Sequence, residues 1–196
     1  MNDIDKVQQI ADAVERSMAL AALVSRLFGE EGWRLVVVGG AAIEFYTEGA
    51  YMSGDIDLCR RTVESIPLRK AQDIMSRIGA TGGPRSWLVG GLYVDLLGLL
   101  ENEALTPCRQ LVTPLGEVTL IPPELLIVER TLQGFYPAAD AEAKAVAGKL
   151  LAVCLTDATA VDWGEVERLA KLPSFNIVKE LGQLREEVLR ELESGD

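Results

Sequence analysis

Apolar side chains at Val7, Ile10, Val14, Met18, Ala21, Val24 and Phe28 recur every three or four positions, predicting one amphipathic helix over residues 5–29 closed by Gly29. The period then shortens. Arg34-Leu35-Val36-Val37-Val38 is a β-branched run that stops at Gly39-Gly40, and Ala41 to Glu48 suits a short helix. A second strand fits Asp55 to Cys59 and a helix fits Leu68 to Ile78, with Gly79 to Pro84 as a breaker cluster. Two hairpins follow: one joins Trp87-Leu88-Val89 to Leu92 to Leu97 through Gly90-Gly91, and the other joins Gln110 to Thr113 to Glu117 to Ile121.

Beyond Pro122-Pro123 the pattern is helical, over Glu124 to Gln133, Asp140 to Leu155, Asp162 to Ala170 and Ser174 to Leu192. Asp162 with Glu165 reads as an acidic capping box and Ser174 as the cap of the last helix; Glu193 to Asp196 read as disordered. The fold class is therefore α/β (α+β), with a mixed sheet, an N-terminal helix and a C-terminal helical appendage. The expected division is a core over residues 1–121 and a helical region over 122–196.

Composition narrows the chemistry. The chain has 196 residues and no histidine, so Ser-His-Asp and Cys-His mechanisms and imidazole zinc sites are excluded. Cys59, Cys108 and Cys154 are scattered without a C-x-x-C pair and read as buried reduced thiols. The most apolar stretch, Ser86 to Leu100, carries Asp95, so no membrane span is expected; the acidic start points to the cytoplasm. A net charge of -11 argues against broad nucleic-acid binding. It is uneven, because Arg60, Arg61, Arg69, Lys70, Arg77 and Arg85 outnumber Glu64 and Asp73, leaving either a solvated helix face or a basic rim for phosphates or RNA.

The informative constellation is Val38-Gly39-Gly40-Ala41, Ser53-Gly54-Asp55-Ile56-Asp57-Leu58 and Tyr93-Val94-Asp95-Leu96. On a strand Asp55 and Asp57 project to one face while Ile56 and Leu58 face the core. Two carboxylates on one face repel unless cations lie between them, and a third, Asp95, sits in another apolar strand-like run where an unpaired charge is costly. Oxygen-only ligands favour Mg²⁺ or Mn²⁺. Gly39-Gly40 at a helix start offers backbone N–H groups to phosphates. No G-x-G-x-x-G follows, which disfavours a dinucleotide fold, and Gly148-Lys149 lacks the rest of a P-loop. Trp33, Trp87, Tyr93 and Trp163 read as core or hinge aromatics rather than base-stacking platforms.

In these parts the sequence resembles the nucleotidyltransferase superfamily that includes DNA polymerase β, CCA-adding enzymes, aminoglycoside nucleotidyltransferases and bacterial abortive-infection type toxins. The pattern is a hydrophobic strand ending in Gly-Gly or Gly-Ser, a short helix, an acid-hydrophobic-acid strand and a later third acid. It covers residues 33–98, and Pro123-Glu124-Leu125-Leu126 looks like the toxin-type branch. The resemblance implies that Asp55, Asp57 and Asp95 bind metal and carry catalysis. It also implies that Gly39, Gly40 and Ser53 hold a nucleoside triphosphate, with Arg60 or Arg61 compensating its charge. A supporting lysine is common in that branch; where the first downstream helix might supply it this chain has Glu129-Arg130, leaving Lys144 or Lys149, although each reads more readily as a solvated helix lysine. The implied reaction moves a nucleoside monophosphate to a hydroxyl on a small molecule, an RNA end or a protein. The alternative is a nucleotide-sensing or partner-binding module, for example one half of a toxin and antitoxin pair.

Overall fold

The computed structural model describes residues 2–102, 105–156 and 161–194. They form two compact units, residues 1–45 with 52–121 and residues 46–51 with 122–196.

The first unit is built on a seven-stranded mixed sheet. Its strands are β1 (Leu35–Val37), β2 (Asp55–Arg60), β3 (Thr81–Gly82), β4 (Ser86–Val89), β5 (Leu92–Leu99), β6 (Arg109–Thr113) and β7 (Gly116–Leu120), in the order β3-β4-β5-β2-β1-β7-β6. The pairs β2–β5 and β1–β7 are parallel; β1–β2 and the two hairpins β4–β5 and β6–β7 are antiparallel. The mixed sheet, both hairpins and the switch to helices after residue 122 match the expectation from periodicity. β3 lies inside the stretch read as a breaker cluster, paired to β4 through Thr81 opposite Leu88.

The expected single N-terminal helix is two, α1 (Asp3–Gln8) and α2 (Ala13–Glu30). Val7, Ile10 and Val14 keep a helical spacing across the break, so hydrophobic period alone cannot reveal it. Side-chain capping decides it: the Asp12 carboxylate accepts from the Glu15 N–H at 2.8 Å, restarting the chain as a new helix. Gly29 does not end α2. The turn falls at Gly32, whose φ of 94° suits glycine, and the Trp33 N–H donates to the Phe28 carbonyl at 3.0 Å. The inner face of α2, including Leu20, Leu23, Val24 and Phe28, is buried against the sheet. Two further helices, α3 (Gly39–Tyr46) and α4 (Leu68–Ser76), complete this unit's elements, α3 ending in the second unit at Tyr46.

The second unit contains α5 (Pro123–Phe135), α6 (Ala141–Thr156), α7 (Trp163–Ala170) and α8 (Val178–Ser194). Its core joins Leu125, Leu126, Val128, Leu150, Leu151, Val166, Leu169, Leu181 and Leu184. Asp162 caps α7 by accepting from the Glu165 N–H at 3.1 Å, but its own N–H donates to the buried Glu124 carboxylate at 2.9 Å, a long-range bond that local sequence does not reveal. Ser174 caps nothing. Residues 172–177 form a turn with Asn176 at φ 49°, and α8 starts at Val178 after the buried Ile177. The helix runs on through Glu193 to Ser194, where disorder was expected; residues 195 and 196 lie outside the described residues. Cys59, Cys108 and Cys154 are in no disulfide; Cys154 is buried, while Cys59 and Cys108 are half-buried.

Among the described residues no helix is long and apolar enough to cross a membrane.

Candidate metal and nucleotide site

β2 carries Asp55 and Asp57 on one face, while Ile56 and Leu58 are buried on the other. In the parallel β2–β5 pair Asp57 stands opposite Asp95 and Asp55 opposite Tyr93. Carboxylate oxygens of Asp55, Asp57 and Asp95 consequently lie within 4.8 Å of one another. Like charges set opposite each other in a sheet destabilise it. The cluster also contains a buried defect: Asp95 Oδ1 is shielded from water and has no hydrogen-bond partner. Of the four such atoms among the described residues, the others belonging to Ser25, Trp87 and Thr131, it alone belongs to a carboxylate. A charged oxygen left without a donor is expensive unless a cation meets it. The donor set, three carboxylates and no nitrogen or sulfur, suits a hard divalent ion such as Mg²⁺ or Mn²⁺.

Helix α3 borders this face. Its first residue, Gly39, has φ 59°, and a Cβ built there would overlap the Asp57 carboxylate. The Val38 N–H donates to the Asp57 carbonyl at 3.0 Å, so the strand end, the helix start and the second acid are fixed together. Gly40 follows in the first turn, where N–H groups lack intrahelical acceptors. Ser53 lies two residues before Asp55; its Oγ donates to the Asp55 carbonyl at 2.9 Å and approaches Asp55 Oδ1 at 3.3 Å.

Arg60, expected beside a triphosphate, donates instead to the carbonyls of Thr62 at 2.7 Å and Val63 at 2.6 Å. It lines a cavity of about 290 Å³ with Ser65, Ile66, Leu68, Pro84 and Leu97, and none of the three carboxylates is in its walls. Arg61 continues past β2, its N–H bonded to the Arg34 carbonyl at 2.8 Å. The basic stretch is in part an ion-paired helix face: Lys70 meets Glu31 at 3.2 Å and Arg77 meets Glu30 at 2.8 Å. Lys144 and Lys149 belong to α6 of the helical unit. There Lys144 pairs with Glu187 at 2.7 Å and lies 5.2 Å from the centre of the Phe135 ring, while Lys149 is exposed. The Lys144 hydrogen bond is also what holds the Glu187 carboxyl below its ordinary range, helped by Gln183.

Two residues near the site escaped sequence reasoning. Tyr93, read as a core or hinge aromatic, is 52% exposed, because alternation puts it on the face of Asp95 rather than with the buried Val94; Leu88, opposite it on β4, is 39% exposed. Glu44, mid-helix and 4% exposed, accepts from the Ser53 N–H at 3.0 Å. Tyr93 was legible from period 2; Glu44 was not, since its partner is nine residues away across a loop.

No protein-family model matches the chain, and no curated protein matches it. Solved structures do. A nucleotidyltransferase-like antigenic protein from Paracoccidioides brasiliensis superposes with TM-score 0.55 at 12% identity, covering 88% of this chain and 93% of that one. The chain has a nucleotidyltransferase-like fold. Weaker superpositions are found with ANT(2")-Ia in complex with adenylyl-2"-tobramycin, at TM-score 0.49, 16% identity and 76% and 91% coverage. The solution structure of the antibiotic-resistance factor ANT(2'')-Ia gives TM-score 0.47 and 15% identity over 100% of both chains. Within this nucleotidyltransferase-like fold, the acidic cluster and the glycine-started helix are features of the chain's own geometry.

Proposed function

We propose that the chain is a nucleotidyltransferase dependent on Mg²⁺ or Mn²⁺, moving a nucleoside monophosphate from ATP or another nucleoside triphosphate to a hydroxyl acceptor. The observation that carries this reading is the buried, partnerless Asp95 oxygen within a cluster of three carboxylates. Asp55 and Asp57 hold the metal from β2 and Asp95 from β5. When bound, the metal neutralises phosphate charge and lowers the pKa of the attacking hydroxyl. Gly39 and Gly40 present backbone N–H groups to the triphosphate, and Ser53 borders it. The acceptor approaches from the β5 and β4 side, where Tyr93 and Leu88 offer an exposed apolar ledge next to Asp95. Asp95 assists removal of the acceptor proton; the acceptor oxygen bonds to the α-phosphorus, and the bond from that phosphorus to the β-phosphate bridge oxygen breaks, releasing pyrophosphate. A small molecule, an RNA end or a protein can carry the hydroxyl, and a toxin-type enzyme of the cytoplasm, held by an antitoxin, is the setting that the Pro123-Glu124-Leu125-Leu126 pattern supports.

The test is transfer of radiolabel from α-labelled triphosphates to a panel of acceptors with Mg²⁺ or Mn²⁺. Label transfer that disappears in Asp57→Ala is expected. No transfer with any pair, together with no metal-dependent nucleotide binding, would refute the assignment.

A second reading, a nucleotide-sensing module paired with a protein partner, draws support from Lys144, which is already engaged by Glu187. Calorimetry separates the two: nucleotide binding without turnover favours sensing, and turnover abolished by Asp55→Asn favours the enzyme.

A further inference from the structure

We propose that Glu44 is a positioning residue for the metal-binding cluster, acting through Ser53 on Asp55. The proposal deepens the reading above and rests on it.

The two acids of β2 are held very differently. Asp57 lies inside the ladder, its carbonyl bonded to the Val38 N–H, its position opposite Asp95 on β5, and its carboxylate against Gly39. Asp55 is the first residue of the strand. It pairs in register only with β5, since the β1 ladder begins at Leu58. Immediately before it stands Gly54, which is exposed and has open space where a Cβ would be. A glycine with no neighbours gives a strand end little rigidity of its own.

The restraint comes from one residue further back. The Ser53 N–H donates to Glu44 Oε2 at 3.0 Å, and Ser53 Oγ in turn donates to the Asp55 carbonyl at 2.9 Å, with Asp55 Oδ1 3.3 Å away. Glu44 is itself buried on α3 beside Ala41, Ala42 and Ile43, so its carboxylate has little freedom. A hydrogen bond to an ionised acceptor is roughly twice as strong as one between neutral groups. A buried carboxylate is costly, and one use of this one is to anchor the backbone N–H two residues before a metal ligand. Helix α3 thereby sets both acids: Gly39 at its start abuts Asp57, and Glu44 toward its end fixes the approach to Asp55.

The experiment is Mn²⁺ binding to the full chain, measured by calorimetry without nucleotide, for wild type, Glu44→Ala, Glu44→Gln, Ser53→Ala and the Glu44→Ala/Ser53→Ala pair. Circular dichroism checks that each is folded. Removing a group that orients a metal ligand weakens affinity by about 10-fold or more, which is expected for Glu44→Ala and for Ser53→Ala. Glu44→Gln keeps an acceptor oxygen for Ser53 and should stay within roughly 3-fold of wild type, well inside that loss. Because both residues act in one relay, the pair should bind Mn²⁺ no more weakly than the weaker single variant; a merely structural glutamate would give losses that multiply. Folded Glu44→Ala with wild-type affinity, or multiplying losses, overturns the proposal while leaving the cation site standing. If Glu44→Ala does not fold, Ser53→Ala with wild-type affinity overturns it equally. Wild type that binds no Mn²⁺ overturns the cation-site reading and the proposal together.

Discussion

Replacing Gly39 with alanine tests how tightly the phosphate-side helix and the acidic strand are fitted to each other. The residue sits at φ 59°, and its missing Cβ leaves the room occupied by the Asp57 carboxylate. Holding an L-residue in the left-handed region costs roughly 1–2 kcal/mol, and pushing Asp57 off its rotamer adds about 0.5–1.5 kcal/mol. A destabilisation of about 2–3 kcal/mol corresponds to a fall in melting temperature of roughly 5–10 °C. Gly29→Ala is the control. Gly29 lies in α2 with open space around its Cβ position and no positive φ, so alanine there should stabilise by about 0.5–1 kcal/mol. Urea and thermal melts give the stabilities, and Mn²⁺ calorimetry gives the second readout, where Gly39→Ala should lose affinity and Gly29→Ala should not. A Gly39→Ala protein with wild-type melting temperature and wild-type Mn²⁺ affinity would refute the close fit between Gly39 and Asp57.

The acidic cluster should trade stability for ligand binding. Two unit charges 4.8 Å apart, the outer limit of the cluster, repel by roughly 3 kcal/mol at an effective dielectric near 20; solvent reduces this to the order of 1 kcal/mol. Asp95→Asn is therefore expected to melt a few degrees higher than wild type in EDTA and to lose the stabilisation by Mn²⁺, about 2.7 kcal/mol at 100 times its Kd, that wild type gains. A variant that melts lower in EDTA contradicts the repulsion. In the helical unit, the Lys144 ammonium keeps the Glu187 carboxyl below its ordinary value of 4.5. A depressed folded pKa contributes stability that is complete above the unfolded value and is lost as pH falls below 4.5 through the folded pKa. Lys144→Met should flatten that part of the acid unfolding curve and return the Glu187 carboxyl, followed by NMR, toward 4.5; an unchanged titration refutes the pairing.

Local sequence determined the sheet strands that carry the acids, the glycine turn and the helical half, because each is written in short periods: alternation puts Asp55 and Asp57 on one face, and Gly39 marks a position only glycine occupies easily. What hydrophobic period does not encode, whether a polar side chain's choice of a nearby partner or a contact between distant segments, needed the tertiary structure. The break between α1 and α2 keeps the hydrophobic spacing intact and is set by a side-chain cap. The late start of α8 follows from burial of Ile177 in the turn before it. Arg60 looks available for phosphate in sequence, yet its guanidinium closes a loop of its own chain at Thr62 and Val63. The parallel pairing that brings Asp95 opposite Asp57, and the bond from Glu44 to Ser53, join residues with no periodic relation. Hydrophobic period specifies which face a side chain takes; only the packed sheet specifies which face it meets.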